Sequence, residues 1–247
     1  MTVSSRVDFT GQAAVVTGAA RGIGRAVAVA LAREGADLVV GDLLDQSQTV
    51  RKVASLGRRC VAVRTDVTSR DDCAALAAAA VEAFGRLDVL VTCAGVYGGG
   101  ALEVDEQEWD RVLDVNAKGT YLPVQAAFPV MSAAGYGKIV CIGSIAGKVG
   151  GLLAGPHYVA SKGAIHALVR WLAKYGASQG VYANGIAPGA VATDMIEGQP
   201  YREDYCPLGR FAQPEDIAEA VVYLGSGASN YVTGKVLTVD GGYLLSD

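Results

Sequence analysis

Two stretches of the chain pair a tyrosine with a lysine four residues later: Tyr158 with Lys162 in YVASK, and Tyr231 with Lys235 in YVTGK. A free phenol titrates near ~10, too high for ready proton exchange at neutral pH. A nearby ammonium stabilises the phenolate and lowers that value. Such a pair suits a carbonyl that gains hydride, because the nascent alkoxide needs an acid within hydrogen-bond reach. The spacing works only on a helix, where positions i and i+4 share a face. In extended chain it spans about 13 Å, at ~3.3 Å per residue. Residues 158–175 carry Ile165, Leu168, Val169 and Leu172 in one apolar stripe, which predicts a helix. The second pair contains Gly234 and runs into the apolar stretch 236–239, which predicts a turn before a strand. The first pair is therefore the candidate proton donor.

The elements that must position it alternate along the chain. Short apolar runs predict strands at 13–17, 37–40, 60–63, 87–91, 138–142, 181–187 and 236–239. Helical spacing separates them at 23–33, 45–56, 71–84, 106–131 and 158–175, and Pro214 before Glu215 and Asp216 starts another helix. Pro123 and Pro129 predict interruptions of the long 106–131 stretch. Strands alternating with helices of this length predict an α/β sandwich with a mostly parallel sheet and its ligand crevice at the strand C-terminal ends.

That crevice has a phosphate-binding turn. Thr17 to Gly24 reads TGAARGIG, between the first strand and the first helix. Gly18, Gly22 and Gly24 permit a sharp turn and close approach to a pyrophosphate. The helix start at Ile23 supplies free N–H groups and positive dipole. Asp42 ends the second strand 24 residues after Gly18. A carboxylate there accepts from both adenine-ribose hydroxyls and repels a 2′-phosphate, which favours NAD over NADP. Arg21 pulls the other way, since it could reach such a phosphate; Asp42 is weighted more heavily because the fold fixes its place.

Composition excludes other classes. With 247 residues, 51% of them hydrophobic, and 32 glycines, the chain can bury one core with tight turns. One domain over 1–247 is expected, with a small substrate region at about 190–213. A net charge of −4 without long like-charge blocks argues against nucleic acid. No apolar run predicts a membrane span, and residues 1–8 do not read as a leader. Five cysteines without C-x-x-C read as small hydrophobes in a reducing cytoplasm, and no cluster has metal-ligand spacing.

Taken in order, these motifs identify the chain as similar to the short-chain dehydrogenase/reductase family. They are TGxxxGxG at 17–24, Asp66-Val67, CAG at 93–95, Asn116, Ser144, YxxxK at 158–162, PG at 188–189 with Thr193, and DGG at 240–242. The resemblance runs from Thr17 to the C-terminus. It implies a doubly wound, Rossmann-type three-layer fold with a seven-stranded sheet, and hydride transfer between a secondary alcohol and a ketone. It gives Asp66 the adenine amino group, with the Val67 backbone beside it, and makes Ala94 and Gly95 the floor beneath the cofactor. Pro188 and Gly189 then turn beneath the nicotinamide, whose carboxamide Thr193 and the Val191 backbone hold. Ser144 orients the substrate oxygen, Tyr158 is the general acid/base, Lys162 tunes it and holds the nicotinamide ribose, and Asn116 holds a water linking Lys162 to solvent. The family usually has NNAG where this chain has Thr92-Cys93-Ala94-Gly95. A homotetramer is the family expectation.

The substrate pocket is expected from Ser144, Leu152, Leu153, His157, Tyr158, Gly189, Met195, Ile196 and the segment to Pro207, mostly apolar as small-molecule sites are. His157 has a second reading, as a helix-entry residue. A carrier-protein thioester reduced with NADPH is the alternative substrate, weakened because residues 131–135 before the fifth strand hold no basic residue. A catalytically silent dinucleotide-binding regulator is the alternative of a different class; it would be expected to lose one of Asn116, Ser144, Tyr158 or Lys162. GASQG at 176–180 matches a nucleophile elbow but follows a helix and precedes a strand, the reverse of the required order.

Overall fold

A computed structural model describes residues 7–100, 102–151 and 153–245. Seven strands, β1 (Ala13–Thr17), β2 (Asp37–Asp42), β3 (Cys60–Arg64), β4 (Val89–Thr92), β5 (Gly137–Ile142), β6 (Val181–Pro188) and β7 (Val236–Val239), form one sheet ordered β3-β2-β1-β4-β5-β6-β7. Every neighbouring pair is parallel. Strands are added outward from β1 on one side as β2 and β3 and on the other as β4 to β7, and this switch of winding opens the crevice at the strand C-terminal ends.

Strand alternation builds the core on both faces. Ala14 and Val16 of β1 pack into one cluster with α1 (Gly22–Arg33) and α8 (Pro214–Gly225). Val15 points the opposite way, into a cluster with α3 (Arg70–Phe84), α5 (Gly119–Ala134) and α7 (Pro156–Gly176). Local signals set the ends of these helices. The Ser69 hydroxyl accepts from Asp72 N–H before α3, and Gly85 closes that helix at φ 73°. Asp216 accepts from the Gln213 backbone N–H (2.7 Å) in a capping box before α8. Among the described residues no helix is long and apolar enough to cross a membrane.

The stretch after β4 departs from expectation. Pro123 and Pro129 lie inside α5 without ending it. The break comes earlier, as a π turn over Asp114–Lys118 between α4 (Glu106–Leu113) and α5. A π turn bonds i to i+5 and bulges the backbone, a geometry that recurs at functional sites. Asn116 sits on this turn rather than in a regular helix.

Lys138 of β5 is 1% exposed, its Nζ 3.8 Å from the Tyr182 ring centroid and 3.3 Å from Ser229 Oγ. Burial lowers its pKa from 10.5 to about 8. The unfolded chain then binds the extra proton between these values. The penalty is full below pH about 8 and fades as pH rises toward 10.5. It amounts to at most about 3 kcal/mol, and a substitution that removes the ammonium also gives up its contact with the Tyr182 ring. Lys138→Met is expected to raise the thermal midpoint by about 2–4 °C at pH 7. The gain should vanish near pH 10.5, measured by melting at both pH values.

Candidate active site

The glycine turn follows β1 directly. Gly18 adopts φ +66°, and a Cβ there would sit 2.7 Å from Ala94 Cα. A Cβ on Gly24 would lie 2.1 Å from the Gly18 carbonyl oxygen. Two backbone segments thus close to a spacing that only glycine allows. The Thr17 hydroxyl accepts from the N–H groups of Cys93 (3.1 Å) and Ala94 (3.2 Å), which locks the turn after β4 to the glycine loop. The first turn of α1 has no acidic residue and no side-chain cap, so its N–H groups and dipole face the crevice. This cradle fits a pyrophosphate.

At the end of β2, the Asp42 carboxylate accepts from Ala20 N–H (2.9 Å) and Leu44 N–H (3.0 Å). It is held against the glycine loop with lone pairs to spare. Arg21 turns instead to Asp194, 2.7 Å away, in an exposed pair between the glycine loop and the segment after β6. Gly22 faces Thr193 in the same contact, where an added Cβ would meet Thr193 Cγ2 at 3.4 Å. The Asp66 carboxylate accepts from the backbone and hydroxyl of Thr68, and Val67 is buried with its Cγ2 in the gap left by Gly119.

A cleft of about 940 Å³ brings Ser144, Tyr158 and Lys162 together with Gly95, Pro188 and Thr193. Ile23, Gly189 and Val191 also line it, as do Leu153, Met195 and Ile196. Leu152 lies outside the described residues. His157 is not part of the cleft. It is fully buried, 6.3 Å from Trp109 ring to ring and 3.9 Å from Glu108, with Gly98 and Gly155 against its ring. Adjacent helix residues point about 100° apart, so Tyr158 facing the cleft turns His157 away from it.

Tyr158 and Lys162 share the cleft-facing side of α7, with Lys162 Nζ 5.5 Å from the phenol ring centroid. Lys162 Nζ donates to the Ile142 carbonyl (3.2 Å) at the end of β5. The expected lowering of the Tyr158 pKa is not what burial produces. Desolvation pushes the phenol up to about 12, against a hydrogen bond with Ser144 that draws it down. It pushes the Lys162 ammonium down to about 8. Both groups are taken from water, and the charged form of each suffers. Ser144 Oγ accepts from Ala146 N–H (3.1 Å), which fixes the hydroxyl after β5.

Asn116 makes a clamp. Its Oδ1 accepts from Val96 N–H (2.8 Å), while Nδ2 donates to the Val96 carbonyl (3.0 Å) and Ser161 Oγ (3.0 Å). Its own carbonyl accepts from the Thr120 hydroxyl (2.7 Å). It thereby pins the loop after β4 to the residue preceding Lys162. Sequence reasoning missed three contributors. Thr17 was visible as a polar end to an apolar strand. Tyr97 and Tyr201 line the cleft from loops without periodic pattern.

Comparison with known proteins agrees with this geometry. Residues 18–244 match the family model described as enoyl-(acyl carrier protein) reductase. The chain is 42% identical over 243 residues to cis-4-hydroxycyclohexanecarboxylate dehydrogenase of Sinomonas cyclohexanicum, covering 95% of this chain and 97% of that protein. It is 36% identical over 251 residues to 2-dehydro-3-deoxy-D-gluconate 5-dehydrogenase of Escherichia coli K12, covering 98% and 99%. Carveol dehydrogenase from Mycobacterium avium, solved in complex with NAD, superposes with a TM-score of 0.91 at 30% identity, covering 96% of this chain and 99% of that one. The ordered motifs, the parallel sheet and these matches over nearly the whole length make this chain a member of the short-chain dehydrogenase/reductase family of oxidoreductases.

Proposed function

We propose that the protein interconverts a small secondary alcohol and its ketone, with NAD(H) as redox partner. The observation that carries this reading is the convergence of Ser144, Tyr158 and Lys162 on one cleft with Gly95, Pro188 and Thr193. A bound nicotinamide supplies the hydride acceptor for oxidation and the donor for reduction. Tyr158 exchanges the proton of the reacting oxygen, and the Ser144 hydroxyl holds that oxygen beside it. Lys162 offsets the cost of the buried phenolate. Its ammonium stands 5.5 Å from the ring centroid, on the side where a positive charge favours the phenolate. Asn116 acts by position, keeping Lys162 and the Gly95 backbone in register. The roles of Asp66, Val67, Ala94, Val191 and Thr193 at the cofactor follow the family pattern.

Two observations support NAD over NADP. Asp42 is fixed by backbone N–H groups where an adenine ribose would meet it, and Arg21 stands beside the Asp194 carboxylate, which opposes a further anion there. The apolar cleft supports a compact substrate, and the two relatives named for cis-4-hydroxycyclohexanecarboxylate and 2-dehydro-3-deoxy-D-gluconate support the same size class. Absorbance at 340 nm, with both cofactors and a panel of cyclic and open-chain secondary alcohols, tests the reading. Turnover with NAD is expected at a kcat/KM at least about tenfold above NADP, a difference of ~1.4 kcal/mol. The opposite preference would show Arg21 to outweigh Asp42. Tight NAD binding without turnover on any alcohol would point to a silent regulator.

A further inference from the structure

Among the described residues, five charged ones line the cleft: Lys162, Arg202, Arg210, Asp216 and Asp240. Four are engaged within the protein. Lys162 belongs to the Tyr158 site and donates to the Ile142 carbonyl. Arg210 donates through Nη1 (2.6 Å) and Nη2 (3.1 Å) to Asp216, which also accepts from the Gln213 N–H before α8. Asp240 turns its carboxylate onto the N–H groups of Gly242 (3.0 Å) and Leu244 (2.7 Å). Arg202 differs. Its Nε (2.9 Å) and Nη2 donate to Asp204, a residue outside the cleft lining. That bond takes up one edge of the guanidinium. No hydrogen bond among the described residues reaches its Nη1, so the Nη1–Nη2 edge is open. Such an edge offers parallel N–H donors at the spacing of a carboxylate.

Two neighbours aim the group. Asp204 holds its other edge, and the Tyr205 ring, also in the lining, has its centroid 5.7 Å from Arg202 Cζ. Both partners of the ion pair are largely exposed, at 64% and 60%. The pair therefore contributes little of its own and does not hold the guanidinium against a second carboxylate. Much of the remaining lining is apolar, with Val149, Leu153, Met195, Ile196, Leu208 and Phe211. An apolar wall with an open cationic edge selects a molecule that has an apolar body and an anionic end. A substrate that expels water from the cleft also strengthens the attraction between these charges.

We propose that the substrate is a compact hydroxy acid, or the oxo acid it becomes, whose carboxylate is bound by the Nη1–Nη2 edge of Arg202. That carboxylate is distinct from the reacting group. Arg202 lies on the segment between β6 and α8, whereas Ser144 follows β5 and Tyr158 lies in α7. Arg202 fixes one end of the molecule and leaves the carbinol to Tyr158. It exchanges no proton; it binds and orients. This inference names the substrate class of the alcohol–ketone site and rests on that reading.

The test uses the full-length protein with NAD and two readouts. The first is turnover of 3-hydroxycyclohexanecarboxylate beside its primary amide, which has the same shape without the charge. The acid is expected to have a kcat/KM at least about tenfold above the amide, the factor of a charge-assisted hydrogen bond. Arg202→Gln should remove that preference, through KM rather than kcat. Arg202→Lys should restore only part of it, because an ammonium lacks the fork. The second readout needs no reaction: calorimetric titration of cyclohexanecarboxylate, which has no hydroxyl, into the NAD-loaded protein. Arg202→Gln should weaken this binding by at least about tenfold. Equal kcat/KM for acid and amide, or a preference unchanged in Arg202→Gln, overturns the carboxylate site and leaves the alcohol–ketone reading intact. A KM for NAD raised in Arg202→Gln, with the acid-to-amide ratio unchanged, overturns it too and assigns Arg202 to the cofactor. Arg202-dependent binding of cyclohexanecarboxylate without turnover of any alcohol supports the site and overturns the alcohol–ketone reading. Neither binding nor turnover overturns both.

Discussion

Tyr158→Phe is expected to lower kcat by about 10³- to 10⁴-fold, the upper part of the range for a lost general acid/base, while NAD affinity stays within about twofold. The expectation rests on how little else the change disturbs. The ring stays packed against Tyr97 at 5.3 Å. No cavity opens, because only the hydroxyl is removed from a side chain 9% exposed. Lys162 keeps its bond to the Ile142 carbonyl, and Ser144 keeps its anchor at Ala146. What disappears is the hydroxyl that, in the proposed reading, exchanges a proton with the reacting oxygen beside Ser144 and Lys162. Turnover at 340 nm, set beside NADH fluorescence titration, separates chemistry from binding. A variant within about tenfold of the wild-type rate would remove Tyr158 from the proton path.

Gly24→Ala is the second large effect, and it acts through the backbone. The new Cβ would lie 2.1 Å from the Gly18 carbonyl oxygen and 3.1 Å from Ala19 Cα. No flexible side chain stands there to yield, so the loop itself must move. Overpacking of this kind costs about 1–3 kcal/mol. The larger effect falls on the cofactor, because the displaced loop carries the N–H groups that would cradle a pyrophosphate. At a hundredfold excess over its Kd, NAD should stabilise the wild type by about 2.7 kcal/mol, a rise of roughly 5–10 °C in the thermal midpoint. Gly24→Ala should show almost none of that rise. A retained shift would mean that the glycine turn does not hold the cofactor.

The architecture was legible because its signals are periodic. Each strand is a short apolar run, each helix an apolar stripe, and their alternation admits few topologies. The YVASK pair was legible for the same reason, since helical spacing alone brings Tyr158 and Lys162 to one face. What escaped the sequence is set by tertiary contact. The π turn at Asp114–Lys118 has no period of its own, and the two prolines drew attention to the wrong place. His157 adjoins Tyr158 in sequence yet points into a cage of Gly98, Gly155 and Trp109. The response of Tyr158 to its surroundings was misjudged because proximity to a lysine is written in the sequence, whereas the loss of water is not. Tyr97 and Tyr201 line the cleft from loops more than a hundred residues apart that no local pattern distinguishes.

The place of β1 in the sheet sets a timetable for synthesis. It lies between β2 and β4, and its second neighbour arrives about seventy residues after it. Ala13 N–H bonds to the Asp88 carboxylate, and Gly18 packs on Cys93 and Ala94. While the nascent chain is shorter than this, the glycine turn has no backbone to close against. The nucleotide cradle therefore takes shape only once β4 has left the ribosome. Tyr158 and Lys162 follow more than sixty residues later, so the glycine turn can close before they, and Thr193 beyond them, exist.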